Sequence, residues 1–181
     1  GGFADYLMVL VSTEPGTGHR GLSMVIVEKD TLGFSVGRHE LKLGIRGSDT
    51  SELLFDNCRI PQANRLGEEG RGLKISLTIL DGGRIGIAAQ ALGIAQAAYD
   101  DAVAYAKERT QFGKPIAEFQ AIAFKIAEMA TELEAARLMT YKAAWLKDQG
   151  EDYKMASSMA KLYASEASIR ITNEALQIHG G

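Results

Sequence analysis

The sequence predicts an α+β fold, in which part of an antiparallel β-sheet or barrel is followed by an up-down bundle of long helices. Short apolar runs separated by turn-forming residues crowd the first third of the chain. From Leu73 onward, apolar residues instead recur every three or four positions, which is the spacing of one helix face. Because the two patterns do not overlap, we expect a sheet domain over residues 1–65 and a helical domain over residues 66–181.

Four strands are predicted in the sheet domain. Residues 6–11 and 24–27 are rich in valine, isoleucine and leucine and flank a turn-forming cluster of proline, glycine and threonine, which is the pattern of a hairpin. Residues 34–40 and 51–55 form the other two runs. Four strands are too few to close a barrel, so we expect further strands before the first residue.

Three long amphipathic helices are predicted in the helical domain. The first begins at Leu73, the second ends at Gly150, and the third begins after Asp152 as N-cap and ends at the terminal diglycine. We expect a fourth helix beyond Gly181, because three such helices leave an apolar face open. A coiled coil or a spectrin-like three-helix module is the alternative, and the strand-rich first third argues against it. The predicted core positions are Leu73, Leu77, Leu80, Ile87, Ala91, Ile94, Ala98 and Tyr105 in the first helix, Phe119, Ile122, Ile126, Met129, Leu133 and Ala136 in the second, and Met155, Met159, Leu162, Ile169 and Leu176 in the third.

Composition excludes several functional classes. The 20 basic and 23 acidic residues give a net charge of −3 without a basic run, so nucleic acid is not an expected partner. No apolar run reaches the roughly 18 residues needed to span a bilayer, so we expect no membrane insertion. The single cysteine, Cys58, cannot form an internal disulfide, and the three histidines lack partners at metal-ligand spacing.

The link between the first two helices carries the most specific motif. It reads Glu-Arg-Thr-Gln-Phe-Gly-Lys-Pro-Ile-Ala-Glu-Phe-Gln over residues 108–120, and Gly113 with Pro115 ends one helix and admits the next. Arg109 and Gln120 flank this turn. The motif resembles the signature of the acyl-CoA dehydrogenase family, in which the arginine and the glutamine reach FAD, often that of a neighbouring subunit. Residues 42–50 and 66–70 likewise resemble the family's middle sheet domain.

Two further motifs support the resemblance. Leu80-Asp81-Gly82-Gly83-Arg84 resembles the family's Asp-x-x-Arg motif, although an internal ion pair at i, i+3 spacing also explains it. The terminal Gln-Ile-His-Gly-Gly resembles a segment that contacts the adenine half of FAD, although a diglycine helix cap also explains it. The resemblance implies substrate binding by Asp81 and Arg84, and cofactor binding by Arg109, Gln111, Phe112, Gln120, Gln177, Gly180 and Gly181.

No residue of this chain is predicted to be the catalytic base. Some branches of the family place the proton-abstracting glutamate just before the arginine of the Asp-x-x-Arg motif, and that position is Gly83 here. The resemblance therefore implies a base beyond Gly181. Glu166, which lies on the predicted apolar stripe of the third helix, is a less favoured substitute, because an interhelical ion pair explains it with fewer assumptions.

The resemblance implies FAD-dependent oxidation of an acyl-CoA thioester to the trans-2-enoyl-CoA, as in fatty acid β-oxidation, most like the short-chain or butyryl-CoA type. It further implies electron transfer to an electron-transfer flavoprotein, and a homodimer or homotetramer in the bacterial cytoplasm or the mitochondrial matrix. An acyl-CoA oxidase that uses oxygen, or a non-catalytic helical interaction module of the same fold, remains the alternative. The chain alone is expected to be inactive.

Overall fold

A computed structural model describes residues 2–181. The chain forms two compact units, the first ending at Thr78 and the second beginning at Ile79. All strands before the first helix lie in the first unit, and most of the helical residues lie in the second. The domain boundary at residues 65 and 66 stays a prediction.

The four predicted strands are present. β1 (Tyr6–Ser12) and β2 (Leu22–Glu28) form the predicted antiparallel hairpin, and β3 (Phe34–His39) pairs antiparallel with β4 (Ser51–Phe55). A fifth strand that the sequence did not predict, β5 (Arg65–Leu66), pairs with the other edge of β2. With only two residues, β5 is too short to show an alternating pattern.

The three predicted helices are also present. They are α1 (Gly72–Glu108), α2 (Gln120–Asp148) and α3 (Lys154–His179). The link between α1 and α2 contains a small antiparallel hairpin of β6 (Thr110–Gln111) and β7 (Lys114–Pro115). None of the helices within residues 2–181 combines the length and the apolar character that crossing a membrane requires.

Ion pairs between α2 and α3 show that these helices run in opposite directions. Lys125, near the start of α2, pairs with Glu174, near the end of α3. Seven residues further along α2, Glu132 accepts a hydrogen bond of 2.9 Å from Nε of Arg170. The contact on α3 thus moves back toward its start as α2 advances, as in an up-down bundle.

The predicted core face of α3 is wrong. All five of its predicted core residues are exposed, Ile169 for example by 62%, whereas Ile171 is 1% exposed. The buried face of α3 consists mainly of alanine and serine, which let helix backbones approach closely. The buried residues of α3 are Ser157, Ala160, Ala164, Ala167, Ser168, Ile171, Ala175 and Ile178.

The predicted face of α1 is only partly confirmed, whereas that of α2 is largely confirmed. Leu77, Leu80, Ile87 and Ile94 of α1 are exposed, whereas the predicted Ala91, Ala98 and Tyr105 do pack against the core. The fully buried hydrophobic residues of α1 are Ala88, Leu92, Ala95, Ala102 and Ala106. In α2, Met129, Leu133 and Ala136 are buried as predicted, and Ile122 and Ile126 pack against the same core. Apolar residues occur on more than one side of α1 and α3, so spacing alone selected the wrong side.

Candidate functional site

Asp81 and Arg84 form the ion pair that their spacing predicts. Nη1 of Arg84 lies 2.5 Å from Oδ1 of Asp81, and Asp81 is only 8% exposed. The sequence pattern placed Arg84 on the core face between Leu80 and Ile87, but Leu80 and Ile87 are both exposed. Asp81 is therefore the buried member of the pair, and Arg84, with a side chain 39% exposed, lies at the edge of the packed face.

One residue of α3 contacts this pair and two further residues lie beside the intervening Gly82, and the sequence motif did not predict them. Nη1 of Arg84 also donates a hydrogen bond of 3.3 Å to Oγ of Ser158 on α3. A Cβ placed on Gly82 would lie 3.2 Å from Nζ of Lys147 and 3.8 Å from Oη of Tyr153. These residues are at least 63 positions away in sequence, so no local spacing could have indicated them.

Gly83 has no side chain, so the backbone of α1 is accessible beside the Asp81–Arg84 pair. A Cβ placed there would meet no atom within 4 Å in the described chain, and the residue is exposed. The bare backbone gives a ligand room to approach α1 beside Arg84. It also means that this position has no side chain that could accept a proton.

The link between α1 and α2 holds an aromatic ring in solvent. Phe112 and Gly113 form the two-residue loop between β6 and β7, and their φ angles are +51° and +81°. Positive φ at both positions is the geometry of a type I′ turn, and it costs a non-glycine residue about 1–2 kcal/mol. The ring of Phe112 is 92% exposed and lies edge-on to Phe119 at a centroid distance of 6.2 Å. Backbone strain of this kind clusters at functional sites.

Arg109 presents an unpaired guanidinium beside this hairpin. Its backbone N–H donates to the carbonyl of Tyr105 and its own carbonyl accepts from Ile116, both at 2.8 Å. The backbone is thus fixed, whereas the exposed side chain has no hydrogen bond or ion pair with another residue in 2–181. Gln111 in β6 and Gln120, the first residue of α2, are also exposed. A guanidinium without a partner among residues 2–181 is suited to a phosphate group.

The end of α3 is the helix cap that the diglycine predicts. Gly180 has a φ of +93°, and its N–H donates to the carbonyl of Gln177 at 3.1 Å. The N–H of Gly181 donates to the carbonyl of Leu176 at 3.1 Å. Because both N–H groups are used by the cap, the two glycines offer only carbonyl oxygens to a ligand, together with the exposed Gln177 amide.

An aromatic stack holds this end of α3 against the end of α1. The rings of His179 and Tyr105 are stacked with centroids 4.5 Å apart. Nδ1 of His179 lies 2.8 Å from the carbonyl oxygen of Ala175, which can only accept, so Nδ1 carries the proton. Since Tyr105 lies one turn before Arg109, the predicted cofactor residues of α1 and α3 lie at the same end of the bundle.

The predicted substrate and cofactor residues are far apart on α1. Arg109 follows Arg84 by 25 residues, which corresponds to about 37 Å at 1.5 Å per residue. Arg109, Gln111 and Phe112 thus lie on the link after α1 and Gln120 at the start of α2, whereas Asp81 and Arg84 lie in the first half of α1. A single copy of the bundle therefore presents two separate candidate sites.

A serine, a histidine and an aspartate meet in the first unit, but not as a catalytic triad. Nδ1 of His39 lies 2.7 Å from Oδ1 of Asp49 and 3.1 Å from Oγ of Ser51. A triad needs the serine and the aspartate on opposite ring nitrogens, whereas here both contact Nδ1. Hydrogen bonds from Ser51, the Gly2 backbone and His39 hold the pKa of Asp49 well below its usual range. No group of three potential metal ligands occurs among residues 2–181.

Comparison with known proteins identifies the family. Residues 70–181 match the model of the acyl-CoA dehydrogenase C-terminal domain, and residues 1–58 that of the middle domain. The chain is 54% identical, over its whole length and 46% of the relative, to the acryloyl-CoA reductase (NADH) of Anaerotignum propionicum.

Solved structures agree with this match. The three-dimensional structure of butyryl-CoA dehydrogenase from Megasphaera elsdenii superimposes with a TM-score of 0.97 at 50% identity, covering all of this chain and 47% of that one. A chain from a structure described as the electron transferring flavoprotein of Acidaminococcus fermentans superimposes with a TM-score of 0.96 at 49% identity, covering 100% and 48%. The chain spans about half the length of the relatives it matches. It belongs to the acyl-CoA dehydrogenase family.

Proposed function

We propose that the protein oxidises a short-chain acyl-CoA thioester to the trans-2-enoyl-CoA, with FAD as cofactor and an electron-transfer flavoprotein as electron acceptor. The observation that carries the substrate assignment is the Asp81–Arg84 pair beside the bare helix surface at Gly83. Arg84 supplies a permanent positive charge and a planar set of donors, which suit the phosphate groups and amide oxygens of coenzyme A. The short chain length is supported by the similarity to butyryl-CoA dehydrogenase.

The residues at the other end of the bundle fit FAD. The unpaired guanidinium of Arg109 would bind a diphosphate oxygen, and Gln111 and Gln120 would add amide hydrogen bonds. The carbonyl oxygens of Gly180 and Gly181 would accept from the amino group of adenine, since their N–H groups are engaged in the helix cap. When bound, FAD accepts the hydride that leaves the β-carbon of the thioester.

The proton acceptor is proposed to lie outside residues 1–181. Gly83 has no side chain, so the position before Arg84 cannot take the α-proton. Glu166 is exposed on α3, and the expected interhelical ion pair of its carboxylate is not formed within residues 2–181. An exposed carboxylate without a positioning partner is a poor general base, because catalysis requires a fixed geometry toward the proton.

A second candidate activity is the reverse reaction, reduction of an enoyl-CoA. It is favoured by the 54% identity to a protein described as an acryloyl-CoA reductase. Both directions use the same binding residues, so they are distinguished by assaying butyryl-CoA with an electron acceptor and acryloyl-CoA with NADH. We further propose a dimer or tetramer, located in the mitochondrial matrix of a eukaryote or the cytoplasm of a bacterium.

Replacing Arg84 by lysine in the natural full-length protein tests the substrate assignment. Lysine keeps the charge but loses the planar fork, so the KM for butyryl-CoA should rise about tenfold, which corresponds to about 1.4 kcal/mol. Arg137→Lys is the matched control, because Arg137 also pairs with a carboxylate three residues earlier and contacts a second helix through Gln96. An unchanged KM for Arg84→Lys, with a lower melting temperature, would mean that the pair is only structural.

A further inference from the structure

Among residues 2–181, the guanidinium of Arg84 is hydrogen-bonded through one nitrogen, Nη1. Nη1 donates both to Oδ1 of Asp81 at 2.5 Å and to Oγ of Ser158 at 3.3 Å. Nε and Nη2 have no hydrogen-bond partner among residues 2–181. Two adjacent N–H groups of a guanidinium are the pair that binds two oxygens of a phosphate or carboxylate side by side. The free edge of Arg84 is therefore the edge suited to an anionic ligand.

Ser158 acts on Arg84 only as an acceptor. Its hydroxyl has one hydrogen, which it donates to the carbonyl of Lys154 one turn earlier in α3, at 2.8 Å. The oxygen that remains accepts from Nη1 of Arg84. Asp81 and Arg84 lie on α1, so their contact alone leaves the guanidinium free to turn about the Asp81 hydrogen bond. The hydrogen bond to Ser158 of α3 is a second contact, which restricts this rotation of the guanidinium.

We propose that Ser158 is a positioning residue, which orients Arg84 so that Nε and Nη2 bind an anionic oxygen pair of the coenzyme A moiety. This inference rests on the proposed function, since it assumes that Arg84 contacts acyl-CoA. It adds a residue 74 positions away from the Asp-x-x-Arg motif, on a different helix. Positioning of this kind acts on ligand affinity, because the arginine does not have to be ordered when the ligand binds.

Ser158→Ala in the full-length protein tests the inference. The KM for butyryl-CoA and the inhibition constant of free coenzyme A should each rise about threefold to tenfold, with kcat changed less than about twofold. Ser158→Thr should restore both constants, because a threonine hydroxyl can make the same bond to the carbonyl four residues earlier, as Thr172 does in α3. Alanine is the better helix former, so the melting temperature should not fall.

Ser165→Ala is the matched control. Ser165 lies on the same helix and donates to a backbone carbonyl of that helix, that of Leu162 three residues earlier, but it forms no hydrogen bond with an arginine among residues 2–181. An unchanged KM and inhibition constant in Ser158→Ala, while Arg84→Lys raises the KM, would overturn the positioning role alone. Unchanged constants in both variants would overturn the substrate assignment of Arg84 and the positioning role with it.

Discussion

The substitution Gly83→Ala is expected to stabilise α1 and to weaken ligand binding. Glycine inside a helix is less favourable than alanine by about 0.5–1 kcal/mol, because it loses more backbone entropy on folding. Gly83 is exposed in α1, and an added Cβ would meet no atom of residues 2–181 within 4 Å. Gly83→Ala should therefore gain most of this free energy without a steric penalty.

The expected change in stability is small but measurable. For a chain of this size, 1 kcal/mol corresponds to about 2–4 °C in melting temperature, so Gly83→Ala should raise it by about 1–4 °C. Thermal unfolding followed by far-UV circular dichroism measures this shift. If coenzyme A approaches the bare backbone beside Arg84, the same methyl group should raise the KM for butyryl-CoA in the full-length protein.

Gly93→Ala provides the control on the same helix. Gly93 is also exposed with open space around its Cβ position, and it lies ten residues, or about 15 Å, further along α1. It should show the same rise in melting temperature with no change in KM. Equal KM values for the two variants would refute ligand approach at Gly83. A lower melting temperature for Gly83→Ala would refute the open surroundings on which the calculation depends.

Two other predictions concern the cofactor residues and the core. Arg109→Ala should release flavin from the full-length protein on gel filtration, and Gln120→Ala should weaken flavin retention less, because it removes a neutral hydrogen bond. Lys107→Ala is the control: it removes an exposed cation two residues before Arg109 and should leave the bound flavin unchanged. Ile171→Ala should lower the unfolding free energy by about 2–5 kcal/mol, whereas substitution of the exposed Ile169 by alanine should lower it far less in the isolated chain. Comparable losses would mean that Ile169 belongs to the core, as the sequence predicted.

The element boundaries could be predicted because glycines mark them strongly. Gly113, Gly150 and Gly180 all have positive φ angles, and each stands where the sequence predicted a helix to stop or a turn to form. A left-handed backbone is a local requirement, so the identity of one residue indicates it. The i, i+3 pairing of Asp81 with Arg84 is local in the same sense, and it too was predicted correctly.

The core faces could not be predicted in the same way. A large apolar residue indicates burial, but it does not identify the element or the molecule against which it packs. In α3, Met155, Leu162 and Ile169 are exposed in the isolated chain, whereas the contact with the other helices uses alanines. Alanine adds little to a hydrophobic pattern, yet it allows the closest helix packing. Ser158 was missed for a related reason, since its role depends on a partner from another helix.

The distance between the two candidate sites has a consequence for assembly. With about 37 Å of helix between Arg84 and Arg109, one copy of the bundle cannot place both arginines around the same reacting atoms. The proposed reaction requires the β-carbon of the substrate next to the flavin, and we propose that Arg84 and Arg109 of the same copy serve different flavins. We therefore expect the flavin held by Arg109 to complete a site on a neighbouring copy. The exposed apolar side chains of α1 and α3 provide surface that association of copies would bury.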